Sequence, residues 1–200
     1  DTPPDIRDQL LDVGLGSVDG VLYTHDHADH THGIDDLRML AFNMKRRVDV
    51  WLDAATETSL MARFGYCFRM PAGSSYPPIL NAHRIVPPTP VTIDGAGGPI
   101  VATPIEQEHG DIASLGFRVA DVAYSPDVSG LTDASVARLT GLDLWIVDAL
   151  RYLHHPSHFS VKQALSCIER LRPRRAILTH LHIDLDYATL KRELPAHVEP

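Results

Sequence analysis

The segment Thr24-His25-Asp26-His27-Ala28-Asp29-His30 constrains this chain more than any other: an H-x-H-x-D-H pattern packs three imidazoles and a carboxylate into six residues. The apolar run Gly20-Val21-Leu22-Tyr23 precedes it, and Gly33-Ile34-Asp35-Asp36-Leu37 follows. That context predicts a strand over 20–24. Alternate side chains share a side in extended chain, so His25 and His27 project together. Asp29 and His30 then fall in the turn that enters a helix. Four metal-competent groups at the C-terminal end of a strand read as a ligand cluster rather than as a solvated loop.

Around this cluster, 200 residues suffice for one domain with a sizeable core, 1–200, and are too few for two ordinary ones. The chain is 44% hydrophobic, yet no apolar run reaches the length of a membrane span. A net charge of −8 argues against broad nucleic-acid binding, which needs a basic surface; a specific nucleic-acid partner stays open, because two bound cations would change the local field. Cys67 and Cys167 lie far apart, outside any C-x-x-C spacing. They read as small buried apolar residues in a reducing compartment, which points to the cytoplasm.

Along the chain, a short helix is predicted over 6–11, a helix over 34–42 with Asp35 and Asp36 in its first turn, and a strand over 48–52. Asp53 reads as the N-cap of a helix over 54–64. Strands are predicted over 91–94, 99–106, 116–120 and 122–125. Thr132 caps a helix to 139, and 142–147 is a buried strand. Ser160-Val161-Lys162-Gln163 is a capping box opening a helix that ends near Pro173. A strand over 176–179 and a helix over 187–194, with Asp184 and Asp186 as caps, complete the pass. Residues 65–81, rich in aromatics, Gly, Ser and Pro, read as a long loop, either a ligand wall carrying Tyr66, Phe68, Arg69 and Tyr76 or a surface loop pinned by its own aromatics. Periodicity alone supports α/β.

Three later residues follow apolar runs in order: His109 in Gln107-Glu108-His109-Gly110, Asp127 in Tyr124-Ser125-Pro126-Asp127, and His180 in Ile177-Leu178-Thr179-His180. With the first cluster, this order resembles the metallo-β-lactamase superfamily, a group of mostly dinuclear metallohydrolases, over nearly the whole chain. The resemblance implies two mixed sheets with helices outside, a four-layer αβ/βα sandwich. It also implies several strands ahead of a segment like this one, so a chain opening on Asp1-Thr2-Pro3-Pro4 without Met is expected to lack flanking residues. Carried over residue by residue, His25, His27 and His109 would hold one divalent ion, Asp29, His30 and His180 a second, and Asp127 would bridge them. Imidazole and carboxylate ligands suit zinc or manganese, and also iron.

An Asp at the bridging position resembles the phosphodiesterase, glyoxalase and nuclease branches. Gly33-Ile34-Asp35-Asp36-Leu37-Arg38, HPSHFS and LTHLHIDLDY resemble most the phosphodiesterase group associated with carbon–phosphorus lyase. That likeness implies hydrolysis of small cyclic or diester phosphates of sugars or nucleotides. In such a site the cations activate a hydroxide for in-line attack on phosphorus. His158 is the candidate general acid for the leaving group. Asp148 is a candidate to orient a ligand histidine, and His32 and His182 to orient ligands or touch substrate; Tyr66, Arg69 and His182 are the substrate candidates. His154 and His155 read as loop residues or supports, and Asp26 is left out. The alternatives are a tRNA 3′-processing endonuclease, a thioester or lactone hydrolase, and a non-catalytic nucleotide or metal binder. The endonuclease reading lacks a Lys/Arg-rich arm; the larger RNA nucleases of the superfamily are set aside because only 52 residues separate Asp127 from His180, too few for their insertion. A homodimer is open.

Overall fold

The computed structural model describes residues 1–200, which divide into two compact units: Asp1–Val86 with Ile93–Pro99, and Pro87–Thr92 with Ile100–Pro200. Unit 1 carries helix α1 (Ile6–Asp12), strand β1 (Val21–Leu22), the one-turn helix α2 (Ala28–Thr31), a 3-10 turn (Ile34–Asp36), helix α3 (Leu37–Met44), strand β2 (Val48–Leu52), helix α4 (Ala54–Phe68) and strand β3 (Leu80–Arg84). The strands form a parallel sheet in the order β1-β2-β3. On β2 the alternation is strict: Val48, Val50 and Leu52 are buried, Asp49 and Trp51 only partly. The inward set joins Tyr23, Leu60 and Ile79 in one core. Each fully buried large apolar side chain contributes about 1.5–3 kcal/mol.

Several boundaries differ from those the sequence predicts, each for a local reason. The strand expected over 20–24 stops at Leu22. Tyr23 N still donates to Trp51 O at 2.9 Å, but Thr24 N is taken by the Asp1 carboxylate at 2.7 Å, so the ladder ends. Asp29 and His30, expected in a turn, lie inside α2, with His27 as its extended N-cap residue. Helix α4 opens as expected, Asp53 accepting from Thr56 N at 2.8 Å. It bends at Phe64 (φ −127°, ψ 30°) rather than ending there, and the extra turn buries Cys67 and Phe68. The loop expected over 65–81 shrinks accordingly, because Leu80 and Asn81 pair with β2.

Unit 2 is built on a seven-stranded sheet in the order β10-β9-β8-β7-β6-β5-β4. Its strands are β4 (Val91–Ile93), β5 (Ile100–His109), β6 (Ile112–Val119), β7 (Val122–Ser125), β8 (Leu144–Asp148), β9 (Arg175–Thr179) and β10 (Val198–Glu199). Helices α5 (Asp133–Arg138), α6 (Val161–Leu171) and α7 (Tyr187–Glu193) intervene. Pairs β10/β9, β9/β8 and β8/β7 are parallel; β7/β6 and β6/β5 are antiparallel. The β5–β6 hairpin runs beyond its predicted ends, because Gln107 and His109 alternate inward between exposed glutamates and Gln107 Nε2 donates to Ser114 Oγ at 3.2 Å. Gly110 (φ 60°) supplies the left-handed residue that the tight turn requires. Trp145 is fully buried, with its indole N–H donated to Ser125 Oγ at 3.0 Å.

Thr132, Ser160 and Asp186 cap α5, α6 and α7 as expected, Ser160 in a complete capping box with Gln163. Asp184, read as a cap alongside Asp186, instead faces His182 Nδ1 at 3.1 Å. Both cysteines are thiols. Burial, and then the Asp35 carboxylate, push Cys67 up to about 12, so it serves as a small packed residue. No helix is long and apolar enough to cross a membrane.

Candidate metal centre

In unit 1 the donors come from the end of β1 and from α2. The His25 and His27 rings meet edge to face with centroids 4.5 Å apart, and His25 and His30 lie 4.4 Å apart. His30 Nε2 is 3.4 Å from an Asp29 carboxylate oxygen. Behind them sits an arrangement that the sequence does not announce. The Asp1 carboxylate accepts from Thr24 N at 2.7 Å and from the Thr24 hydroxyl at 2.9 Å, and lies 2.9 Å from His30 Nδ1. His30 therefore donates from Nδ1 and leaves Nε2 facing Asp29, the atom it could offer a cation. The Thr24 hydroxyl proton goes to Asp1, so its oxygen accepts from His25 Nδ1 at 3.0 Å, which sets the same tautomer. Asp26 stands apart, paired through both its carbonyl and its carboxylate with Arg63. His32 packs its ring edge to face on Phe64 at 5.8 Å.

In unit 2 each donor follows a strand. His109 closes β5, Asp127 follows β7, Asp148 closes β8 and His180 follows β9. Asp127 is the centre: its Oδ2 is 3.5 Å from His109 Nε2, 3.7 Å from His180 Nε2 and 3.9 Å from His158 Nδ1. His109 and Asp127 are almost entirely enclosed. His109 Nδ1 donates to the Ser157 carbonyl at 2.6 Å, again leaving Nε2 toward the carboxylate. The His158 ring stacks on His180 (centroids 4.7 Å, 18°) and meets His109 edge to face at 4.7 Å. Its Nδ1 lies 2.8 Å from Asp148 Oδ2, which also accepts from Val128 N at 3.0 Å. Asp148 thus orients His158, not one of the predicted ligands. Burial pushes its carboxyl up from the ordinary range, against the opposing pull of His158, Val128 and His180.

The donor chemistry fits divalent cations. His30 and His109, each fixed through Nδ1 to an oxygen acceptor, aim Nε2 at the carboxylates of Asp29 and Asp127, an arrangement suited to holding such ions. Asp148, His158 and His180 also place one donor atom each within 4.8 Å of the others.

The substrate candidates scatter. Tyr66 lines a cavity with Arg38 and Tyr76, whereas Arg69, at the end of α4, is outside that lining. His182 borders a cavity of about 350 Å³ together with Leu150, His180, Leu181 and Ile183. His155 lies 5.1 Å from the His158 ring, and His154 offers only its carbonyl, to Arg151. Asp1, the Thr24 hydroxyl and the Ser157 carbonyl were missed. Asp1 and the Ser157 carbonyl meet their histidines across 29 and 48 residues of chain, and no local pattern marks them.

Comparison with known proteins places these residues in context. Residues 1–181 match the family described as the beta-lactamase superfamily domain. A solved diphosphatase from the PhnP family is 33% identical; the match covers 100% of this chain and 74% of that one, with a TM-score of 0.89. The short form of human tRNase Z, at 18% identity and a TM-score of 0.69 over 92% of this chain and 81% of that one, shares the fold. An octanoyltransferase of Porphyromonas gingivalis is 30% identical over 99% of this chain; the chain spans only 39% of that curated relative.

Proposed function

This chain belongs to the beta-lactamase superfamily of metal-dependent hydrolases and stands close to the PhnP family within it, and from that premise we propose that it hydrolyses small phosphate esters, cyclic or diester phosphates of sugars or nucleotides. We assign His25, His27 and His109 to one divalent cation, Asp29, His30 and His180 to a second, and Asp127 to both. The observation that carries the reading is the setting of Asp127, a buried carboxylate within 4 Å of ring nitrogens of His109, His158 and His180. Bound there, zinc or manganese would activate water and neutralise charge on the phosphoryl oxygens.

The protein's own groups do the rest. The Ser157 carbonyl and the Asp1 carboxylate fix His109 and His30 in the tautomer that presents Nε2. Asp148 holds the Nδ1 proton of His158, so His158 Nε2 is the atom that passes a proton to the departing oxygen. The solved PhnP-family relative is a diphosphatase, which supports a reaction at phosphorus.

A thioester or lactone reading draws on one observation, the apolar wall of Leu150, Leu181 and Ile183 beside His180. One experiment separates the two: metal content and hydrolysis of bis(4-nitrophenyl) phosphate, measured on the same sample loaded with zinc or with manganese. About two ions per chain and metal-dependent turnover are expected. Protein that takes up no metal, or that cleaves thioesters but no diester, overturns the phosphate reading.

A further inference from the structure

Unit 1 holds a concave feature that the metal ligands do not use. A cavity of about 310 Å³ is lined by Arg38, Tyr66, Pro71, Ser74 and Tyr76. That volume is near the lower end of the roughly 300–1,000 Å³ typical of ligand pockets, room for one ring system rather than a whole dinucleotide. Two of its lining residues stand on helices α3 and α4, and three on the loop that follows α4. Arg38 is on α3, and Tyr66 is two residues beyond the bend at Phe64, whose ring meets His32. Arg63, just before the bend, holds the Asp26 carbonyl, and the Cys67 thiol reaches Asp35 at 3.8 Å.

The chemistry of the lining is selective. Tyr76 and Tyr66 are 71% and 43% exposed, two large rings held open to solvent on one hollow. The turn carrying Tyr76 is set in advance: Ser74 N donates to Pro71 O, and Tyr76 N to Ser74 Oγ, both at 3.1 Å. The charge of Arg38 is already met by Asp35 at 2.7 Å. The hollow is therefore close to neutral and a poor receptor for a second phosphate. The guanidinium still has N–H donors beyond the one given to Asp35. Aromatic faces, a guanidinium edge and a hydroxyl suit a flat, uncharged ring with hydrogen-bonding edges.

We propose that this cavity receives the nucleobase of a nucleotide substrate, with Tyr66 and Tyr76 as stacking surfaces and Arg38 and Ser74 as its polar edge. The proposal rests on the phosphate-ester reading and narrows it to nucleotides.

The test compares two esters with the same leaving group, thymidine 5′-(4-nitrophenyl phosphate) and bis(4-nitrophenyl) phosphate, in the metal-loaded wild type, Tyr76→Ala and Tyr76→Phe. The selectivity for the nucleoside ester, as a ratio of kcat/KM, is expected to fall on the order of tenfold in Tyr76→Ala, through KM, and to return in Tyr76→Phe. A ratio equal in all three overturns the proposal and leaves the phosphodiesterase reading standing. A second readout needs no turnover: titration of the metal-free protein with adenosine 5′-monophosphate, followed by tyrosine fluorescence. Saturable quenching that weakens in Tyr76→Ala supports the nucleobase site even if neither ester is cleaved, in which case the reaction is what fails. Quenching indifferent to Tyr76 overturns the site.

Discussion

Replacing Asp148 separates a positioning role from a folding role. The side chain is fully enclosed, and its Oδ2 serves both Val128 N at 3.0 Å and His158 Nδ1 at 2.8 Å. Its Oδ1 is buried with no hydrogen-bond partner. Asp148→Asn keeps the shape and an acceptor for both donors. It trades an unmatched acceptor for an unmatched amide and removes a charge that burial already disfavours. These changes nearly cancel, so stability should move by less than about 1 kcal/mol, or roughly 2–4 °C in Tm for a protein of this size. Asp148→Ala instead strands two buried donors at about 1–3 kcal/mol each, so Tm should drop by about 5–20 °C. Turnover responds differently. A charge-assisted bond is roughly twice as strong as a neutral one, and outer partners of this kind are worth about 10–100-fold. Asp148→Asn should therefore lose that factor in kcat on bis(4-nitrophenyl) phosphate while melting almost as the wild type does. Thermal unfolding of the metal-free protein and turnover of the loaded protein are the two measurements. A variant with wild-type kcat would refute the positioning argument, and an Asp148→Ala protein with wild-type Tm would refute the stability argument.

Other substitutions probe neighbouring groups. His158→Ala should lower turnover by about 10²–10⁴-fold with metal content intact, by metal analysis; loss of metal would make His158 a ligand instead. Asp1→Ala removes the acceptor shared by Thr24 and His30, and metal affinity in chelator competition should weaken by about 10–100-fold. Unchanged affinity would remove Asp1 from the site. Ser160→Ala deletes the α6 cap and should cost about 1 kcal/mol, read as a Tm lower by roughly 2–4 °C.

What could be read in advance follows from where each signal resides. The strand Val48–Leu52 was legible because its apolar alternation and its burial coincide. Strand β3, Leu-Asn-Ala-His-Arg, was not, because only Leu80 is buried, and Asn81, His83 and Arg84 find their side-chain partners, Asp49 and Glu57, on distant elements. Helix α2 spans four residues, too few for any 3.6-residue period to show. The candidate metal ligands could be proposed from sequence because their chemistry is written in residue type. Their supports could not: Asp1 meets His30 through the fold, and Ser157 acts through a carbonyl that every residue possesses. Asp148 showed as a polar residue ending a buried strand, but its partner, His158, emerges only from the structure.

His180 brings stability and chemistry into opposition. Its backbone is left-handed at φ 59°, a region that costs a residue with a Cβ about 1–2 kcal/mol. Bonds on either side keep it there: Ala149 N donates to Thr179 O at 3.0 Å and His182 N to Leu150 O at 2.8 Å. Strain of this kind persists where function demands it. The turn leaves the imidazole stacked on His158 and 3.7 Å from Asp127. His180→Gly relieves the backbone and forfeits the ring, so the metal-free variant should melt at or up to a few degrees above the wild type. Adding zinc should reverse the order. A cation at a hundred times its dissociation constant stabilises the wild type by about 2.7 kcal/mol, and a variant missing the ring proposed as a ligand should gain less. Melting curves of both proteins, with and without metal, should therefore cross. A glycine variant that melts lower in both states would show that the imidazole stabilises the fold outright, and the strain argument would fall.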